Sequence, residues 1–124
     1  MSILDKFRLD GKIAVITGAG KGIGAGIARA FAEAGADVVI GARTLADLEG
    51  VARDVEAMGQ RALVVPTDVL DFDQLQNLAD RAMQAFGRID IVVNNAGGFP
   101  PKPVSKTTAR EFENAFRFNV STAY

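Results

Sequence analysis

The sequence predicts an α/β domain built on a doubly wound parallel sheet. Three observations carry this. Apolar runs of strand length recur at 12–17, 36–41, 61–66 and 89–94, Val- and Ile-rich on consecutive positions, as strands covered on both faces must be. Amphipathic stretches of helical length fill the gaps between them. The resulting order β-α-β-α-β-α-β-α, joined by right-handed crossovers, makes a parallel sheet.

Each element has its own signals. The opening "MSILDKFRLDGK" mixes charges into its apolar residues, so it reads neither as a signal peptide nor as part of a membrane span. "KIAVIT" is the first strand, and "AGIARAFAEAG" the first helix, ending at Gly35. After the second strand, "ADVVIG", Thr44 and Asp47 are spaced as a capping box for a helix that stops at Gly59. "RALVVP" follows, and Asp71 caps "DFDQLQNLADRAMQAF", which stops at Gly87. The fourth strand, "IDIVVN", leads into "GGFPPKPVSKT" (97–107), whose three prolines exclude regular structure. Thr108 and Glu111 then form a second capping box for the last helix. No internal repeat or linker divides the chain, so 1–124 reads as one domain.

Composition narrows the chemistry. Fourteen basic side chains against 15 acidic ones give no nucleic-acid surface. With no Cys, thiol nucleophiles, disulfides and thiolate metal sites are excluded; with no His, the commonest general base and metal ligand is missing too. No metal site is expected, and a cytoplasmic location is the default reading.

Between the first strand and the first helix stands "TGAGKGIG", with glycines at 18, 20, 22 and 24. The first βα turn of a doubly wound sheet faces ligands with free amides and the positive end of a helix dipole. Gly18 would permit the tight turn, Gly22 close approach of a phosphate, and Gly24 close helix–strand packing. A strict G-x-G-x-x-G is absent, and Lys21 is followed by Gly22 rather than Ser or Thr, so a nucleotide-hydrolase loop fails. Gly22-x-x-x-Gly26 matches a membrane-dimer spacing with no membrane span around it. By itself, the turn fits either a dinucleotide pyrophosphate or a packing role with no ligand.

Four motifs in register extend the reading: Thr17-Gly18-x-x-x-Gly22-x-Gly24, Asp68 after the third strand, "NNAG" (Asn94 to Gly97) after the fourth, and "FRFNVS" with Asn119 in the last helix. Together they resemble the classical short-chain dehydrogenase/reductase family over essentially the whole chain. The resemblance implies a Rossmann-type sheet, incomplete here and with strand order 3-2-1-4, and a nicotinamide dinucleotide. It implies that the backbone from Gly18 through Gly20, Lys21, Gly22 and Ile23 to Gly24 holds the pyrophosphate. Asp68 would take the adenine amino group, with Val69 beside the ring, while Asn95, Ala96 and Gly97 line the adenosine ribose. Asn119 would be the asparagine of the catalytic tetrad, supporting a proton-relay water through its backbone. Asn94 is expected to clamp the strand end.

Members that prefer NAD carry an acid at the end of the second strand, and Ala42 holds that place. Arg43, Thr44 and Lys21 stand around it, the two cations resembling the family's contacts to the 2′-phosphate of NADP. NADP(H) is therefore expected in preference to NAD(H).

The family's serine, tyrosine and lysine lie on later elements than this chain contains. Tyr124, the one tyrosine, has no lysine four residues on, and reads as a packing residue on the last helix. The expected function is an NADP(H)-dependent oxidoreductase moving hydride between the nicotinamide and an alcohol or ketone, represented by its cofactor-binding half. The alternative is a catalytically silent NADP(H)-binding module or a half-subunit completed by another chain. A homo-oligomer, a dimer or tetramer, is implied by the resemblance, with neither nucleic acid nor membrane as partner. Without further strands, "IDIVV" is expected to be an uncovered apolar edge.

Overall fold

The computed structural model describes residues 1–124. Strands β1 (Ile13–Thr17), β2 (Asp37–Ala42), β3 (Ala62–Pro66) and β4 (Ile91–Val93) alternate with helices α1 (Gly22–Glu33), α2 (Leu45–Ala57), α3 (Phe72–Phe86) and α4 (Ala109–Asn119). The sheet order is β3-β2-β1-β4 and every pairing is parallel. This is the Rossmann-type arrangement the sequence predicts. Its order reverses between β1 and β4, which opens a crevice at the carboxyl ends of the strands.

Alternate side chains of the strands point to opposite faces, so each consecutive apolar run feeds two cores. On one face Ala14, Ile16, Val38 and Ile40 meet Ala25, Ala28 and Ala32 of α1 and Leu48, Val51 and Val55 of α2. On the other, Ile13, Val15, Val39 and Val65 meet Leu78 and Ala82 of α3. The row of alanines lets α1 lie close to the sheet, which brings its amino terminus over the end of β1. Asp90 ties β4 into place: its carboxylate accepts the Ile13 amide at 2.9 Å.

Coverage fails at β4. Val92 is 59% exposed there, and α4 buries none of its residues. Phe112, Phe116 and Val120 stand exposed on that helix. The open apolar edge is as expected. β4 itself is shorter than 89–94, because Asp90 and Asn95 bond to the ends of β1 rather than extending the ladder.

Helix ends follow the sequence signals with two exceptions. Asp71 accepts from the Asp73 and Gln74 amides, and Thr108 with Glu111 forms the full capping box. Gly35, Gly59 and Gly87 all take positive φ where helices stop. Thr44 occupies the N-cap position of α2, yet its side chain makes no capping hydrogen bond. Asp47, one methylene shorter than the Glu of a full box, leans against Gly20 instead of reaching back. The second exception is α4, which ends at Asn119 and is followed by a 3-10 turn, Ser121–Ala123. Tyr124 therefore lies beyond the helix, and it is fully exposed rather than a packing residue. A similar single turn, Val104–Lys106, closes the proline-rich stretch.

Candidate functional site

A groove of about 1040 Å³ runs across the carboxyl ends of the strands. It is lined by the glycine turn after β1, the start of α2, the segment after β3, the loop after β4 and one side of α4. Of the residues singled out from sequence, Gly18, Gly20, Lys21, Ile23, Arg43, Thr44, Asp68, Val69, Asn95, Ala96 and Gly97 all line it. Gly22, Gly24 and Asn119 are not among the lining residues.

The turn is shaped by two glycines. Gly18 has φ +62°, and a Cβ there would sit 2.9 Å from Asn95 Nδ2 and 3.0 Å from Ala96 Cα. Gly24 is buried in the first turn of α1, and its missing Cβ would fall 2.2 Å from the Gly18 carbonyl oxygen. The helix therefore lies against the turn backbone with no room for a methyl group. Lys21 caps α1 in extended conformation without a side-chain hydrogen bond, so no protein side chain caps the first-turn amides.

Across the switch point, Thr17 joins the turn to the loop after β4. Its Oγ1 accepts from the amides of Asn95 and Ala96, each at 3.1 Å, and donates to the Val93 carbonyl at 3.5 Å. Asn95 Nδ2 donates to the Gly18 carbonyl at 3.1 Å. The strand-end clamp is thus Asn95 and not Asn94, which is exposed and makes no side-chain hydrogen bond. One residue of register separates the two, because alternate residues leaving a strand face opposite ways.

On the far side, Asp68 Oδ1 accepts the Leu70 amide at 3.0 Å, while the Asp68 amide donates to Gln74 Oε1 at 2.8 Å. Oδ2 of Asp68 has no partner within the chain, and Val69 beside it is buried. Lys21 and Arg43 are both exposed and neither forms an ion pair.

The lip after β4 is strapped down at two points. Asn119 sits behind it: its Oδ1 accepts the Gly98 amide at 2.7 Å and its Nδ2 donates to the Gly98 carbonyl at 2.9 Å. A Cβ on Gly97 would lie 2.6 Å from that same Oδ1. Farther along, Lys102 Nζ donates to both Glu111 oxygens at 2.7 and 2.8 Å. The lysine's hydrogen bonds, then the Thr108 amide, hold the Glu111 carboxyl below its ordinary range.

The sequence reading missed Asp47 and Thr67, the groove-lining residues of the lip beyond Gly97 and of α4, and the structural role of Thr17. Thr17 stood in the motif, so its signal was present. Asp47 has none, since its approach to Gly20 depends on how α2 packs.

The sequence profile of short chain dehydrogenases matches residues 12–124. The chain belongs to that family. An uncharacterized oxidoreductase of Mycobacterium tuberculosis is 51% identical over 122 residues, which cover 98% of this chain and 46% of the relative. A 7α-hydroxysteroid dehydrogenase, solved with NADH and 7-oxo glycochenodeoxycholic acid, superposes with a TM-score of 0.92 at 41% identity, covering 98% of this chain and 48% of that one. L-Sorbose reductase from Gluconobacter frateurii, solved with NADPH and L-sorbose, superposes with a TM-score of 0.87 at 34% identity, covering 94% and 45% respectively. The chain spans about half the length of the relatives it matches. Members of this short-chain dehydrogenase family thus occur with either nicotinamide dinucleotide. None of the chain's helices is long and apolar enough to cross a membrane.

Proposed function

We propose that residues 1–124 form the dinucleotide-binding unit of an NADP(H)-dependent oxidoreductase that moves hydride between the nicotinamide and an alcohol or ketone carbon. The observation that carries the cofactor choice is the end of β2. Ala42 leaves no carboxylate at the end of that strand, and the unpaired Arg43 and Lys21 flank the groove beside it. Two cations that have no other partner suit a phosphate.

The rest of the groove suits the same ligand. Uncapped amides of α1 and the glycine turn would hold the pyrophosphate, and the absent Cβ atoms at Gly18 and Gly24 keep that turn closed against the helix. Asp68 keeps Oδ2 available for the adenine amino group, with Val69 under the ring. Asn95 has committed its side-chain amide to Gly18, so its part in lining the ribose falls to the backbone it shares with Ala96 and Gly97. Asn119 would hold the lip through Gly98. Its own carbonyl stands where the helical ladder stops, since the Ala123 amide donates to Val120 instead. That is compatible with a water held by this carbonyl. The bound dinucleotide would supply or accept the hydride.

The test is binding of NADPH and NADH to the wild type and to Arg43→Ala. Loss of a charged phosphate contact costs about 1.5–3 kcal/mol, roughly tenfold or more, for NADPH alone. Equal losses for both dinucleotides would refute the assignment.

A further inference from the structure

The groove holds a third charge at its NADP-selecting end. Asp47, in the first turn of α2, packs against the glycine turn: a Cβ on Gly20 would lie 3.1 Å from Asp47 Cβ and 3.8 Å from its Oδ2. The same Gly20 position lies 3.4 Å from Ala42 Cβ, so Asp47 and Ala42 close the groove from adjacent elements. Asp47 lines the groove with Lys21, Arg43 and Thr44. Its carboxylate is exposed and pairs with neither cation. Its side chain is not spent on capping α2 either, because no cap bond joins it to Thr44.

We infer that Asp47 is a second specificity-determining residue of the cofactor groove, opposing the 2′-phosphate and thereby moderating the preference that Lys21 and Arg43 create. This rests on the NADP(H) reading above. Two cations face a 2′-phosphate of about two negative charges, and an unpaired carboxylate beside them offsets part of their field. A 2′-hydroxyl carries no charge, so the same carboxylate leaves the unphosphorylated dinucleotide unaffected or accepts its hydrogen bond. Both effects shift the ratio of the two affinities in one direction, toward the unphosphorylated dinucleotide. Asp47 therefore does from the next helix part of what an acid at the end of β2 does directly, while Ala42 leaves the strand end clear.

The experiment measures dissociation constants of NADPH and NADH by fluorescence titration, on the protein at its native length, for the wild type, Asp47→Asn and Arg43→Ala. Asn keeps the size of Asp47 and its place on the exposed helix surface, so the fold is retained; a thermal melt verifies it. Asp47→Asn should raise the NADPH-over-NADH preference by about three- to fivefold at low ionic strength, for a carboxylate about 8 Å from the phosphate and well inside the Debye length of about 30 Å. The gain should fade in about 0.5 M salt, where screening shortens that length severalfold. An unchanged or reduced preference at low salt would overturn the role of Asp47, as would a gain that salt does not diminish. Arg43→Ala separates the two claims. If it fails to lower the preference, the phosphate reading itself falls; if it lowers it and Asp47→Asn does nothing, only Asp47 is excluded.

Discussion

Two glycines of α1, two residues apart, should respond oppositely to the same added methyl group. Gly24 and Gly26 both have ordinary helical backbone, so Ala gains about 0.8–1 kcal/mol of helix propensity at either. At Gly26 nothing lies within 4 Å of the new Cβ, so the propensity gain stands and the protein should be stabilised by about 0.5–1 kcal/mol. At Gly24 the methyl group would meet the Gly18 carbonyl oxygen at 2.2 Å, Asn95 Nδ2 at 2.6 Å and the Gly18 carbonyl carbon at 2.8 Å. Ordinary contact begins near 3.4 Å, so the oxygen alone must retreat by 1.2 Å (3.4 minus 2.2). All three atoms belong to the clamp between the turn and the β4 loop, and two of them are backbone. Overpacking of this kind costs about 1–3 kcal/mol, and breaking the Asn95–Gly18 hydrogen bond about 1 more. Net of propensity, Gly24→Ala should destabilise by about 1–3 kcal/mol and also weaken dinucleotide binding, because Gly18 is pushed into the groove. Urea unfolding at equilibrium measures the first effect and a titration the second. A neutral or stabilised Gly24→Ala would show that the helix does not lie on the turn as described.

Other outcomes follow from the same geometry. Thr17→Val removes the oxygen that satisfies two amides and should cost about 2–3 kcal/mol in urea unfolding, with most of it recovered in Thr17→Ser. Asp90 has its carboxyl held below the ordinary range, first by Arg88 and then by the Ile13 amide, so its contribution is complete above the unfolded carboxylate pKa and is lost as pH falls through the folded one. Asp90→Asn should therefore flatten the acid limb of a melting-temperature profile below about pH 4, where carboxylates of the unfolded chain titrate. Residues 1–124 expressed alone should self-associate through the β4 edge, and Val92→Lys should reduce the concentration dependence seen in sedimentation.

The reach of the sequence differs between elements for physical reasons. The strands were legible because β1 and β2 are buried on both faces, which forces consecutive apolar residues, whereas their order rested on the family resemblance. Asp71 and Thr108 were legible as caps because capping is local, closing within three residues. Thr44 was misread because Asp47 had a competing neighbour, Gly20, that is distant in sequence. The choice between Asn94 and Asn95 turned on one residue of register at a strand end. About half of the groove's lining was read from motif positions, yet Asp47 and the Lys102–Glu111 pair arise from how α2 and α4 dock, which no short-range pattern encodes.

The two straps on the lip have a mechanical consequence. Gly98 is bonded through both its amide and its carbonyl to the last residue of α4, and Lys102 is bonded through both carboxylate oxygens to a residue in its first turn. Helix and lip are thus fastened at both ends, like a handle and its blade. Since α4 buries nothing of its own, the bonds that fix its height are the same bonds that fix the rim of the groove. A body leaning on the exposed phenylalanines of α4 would widen or narrow that aperture without touching it.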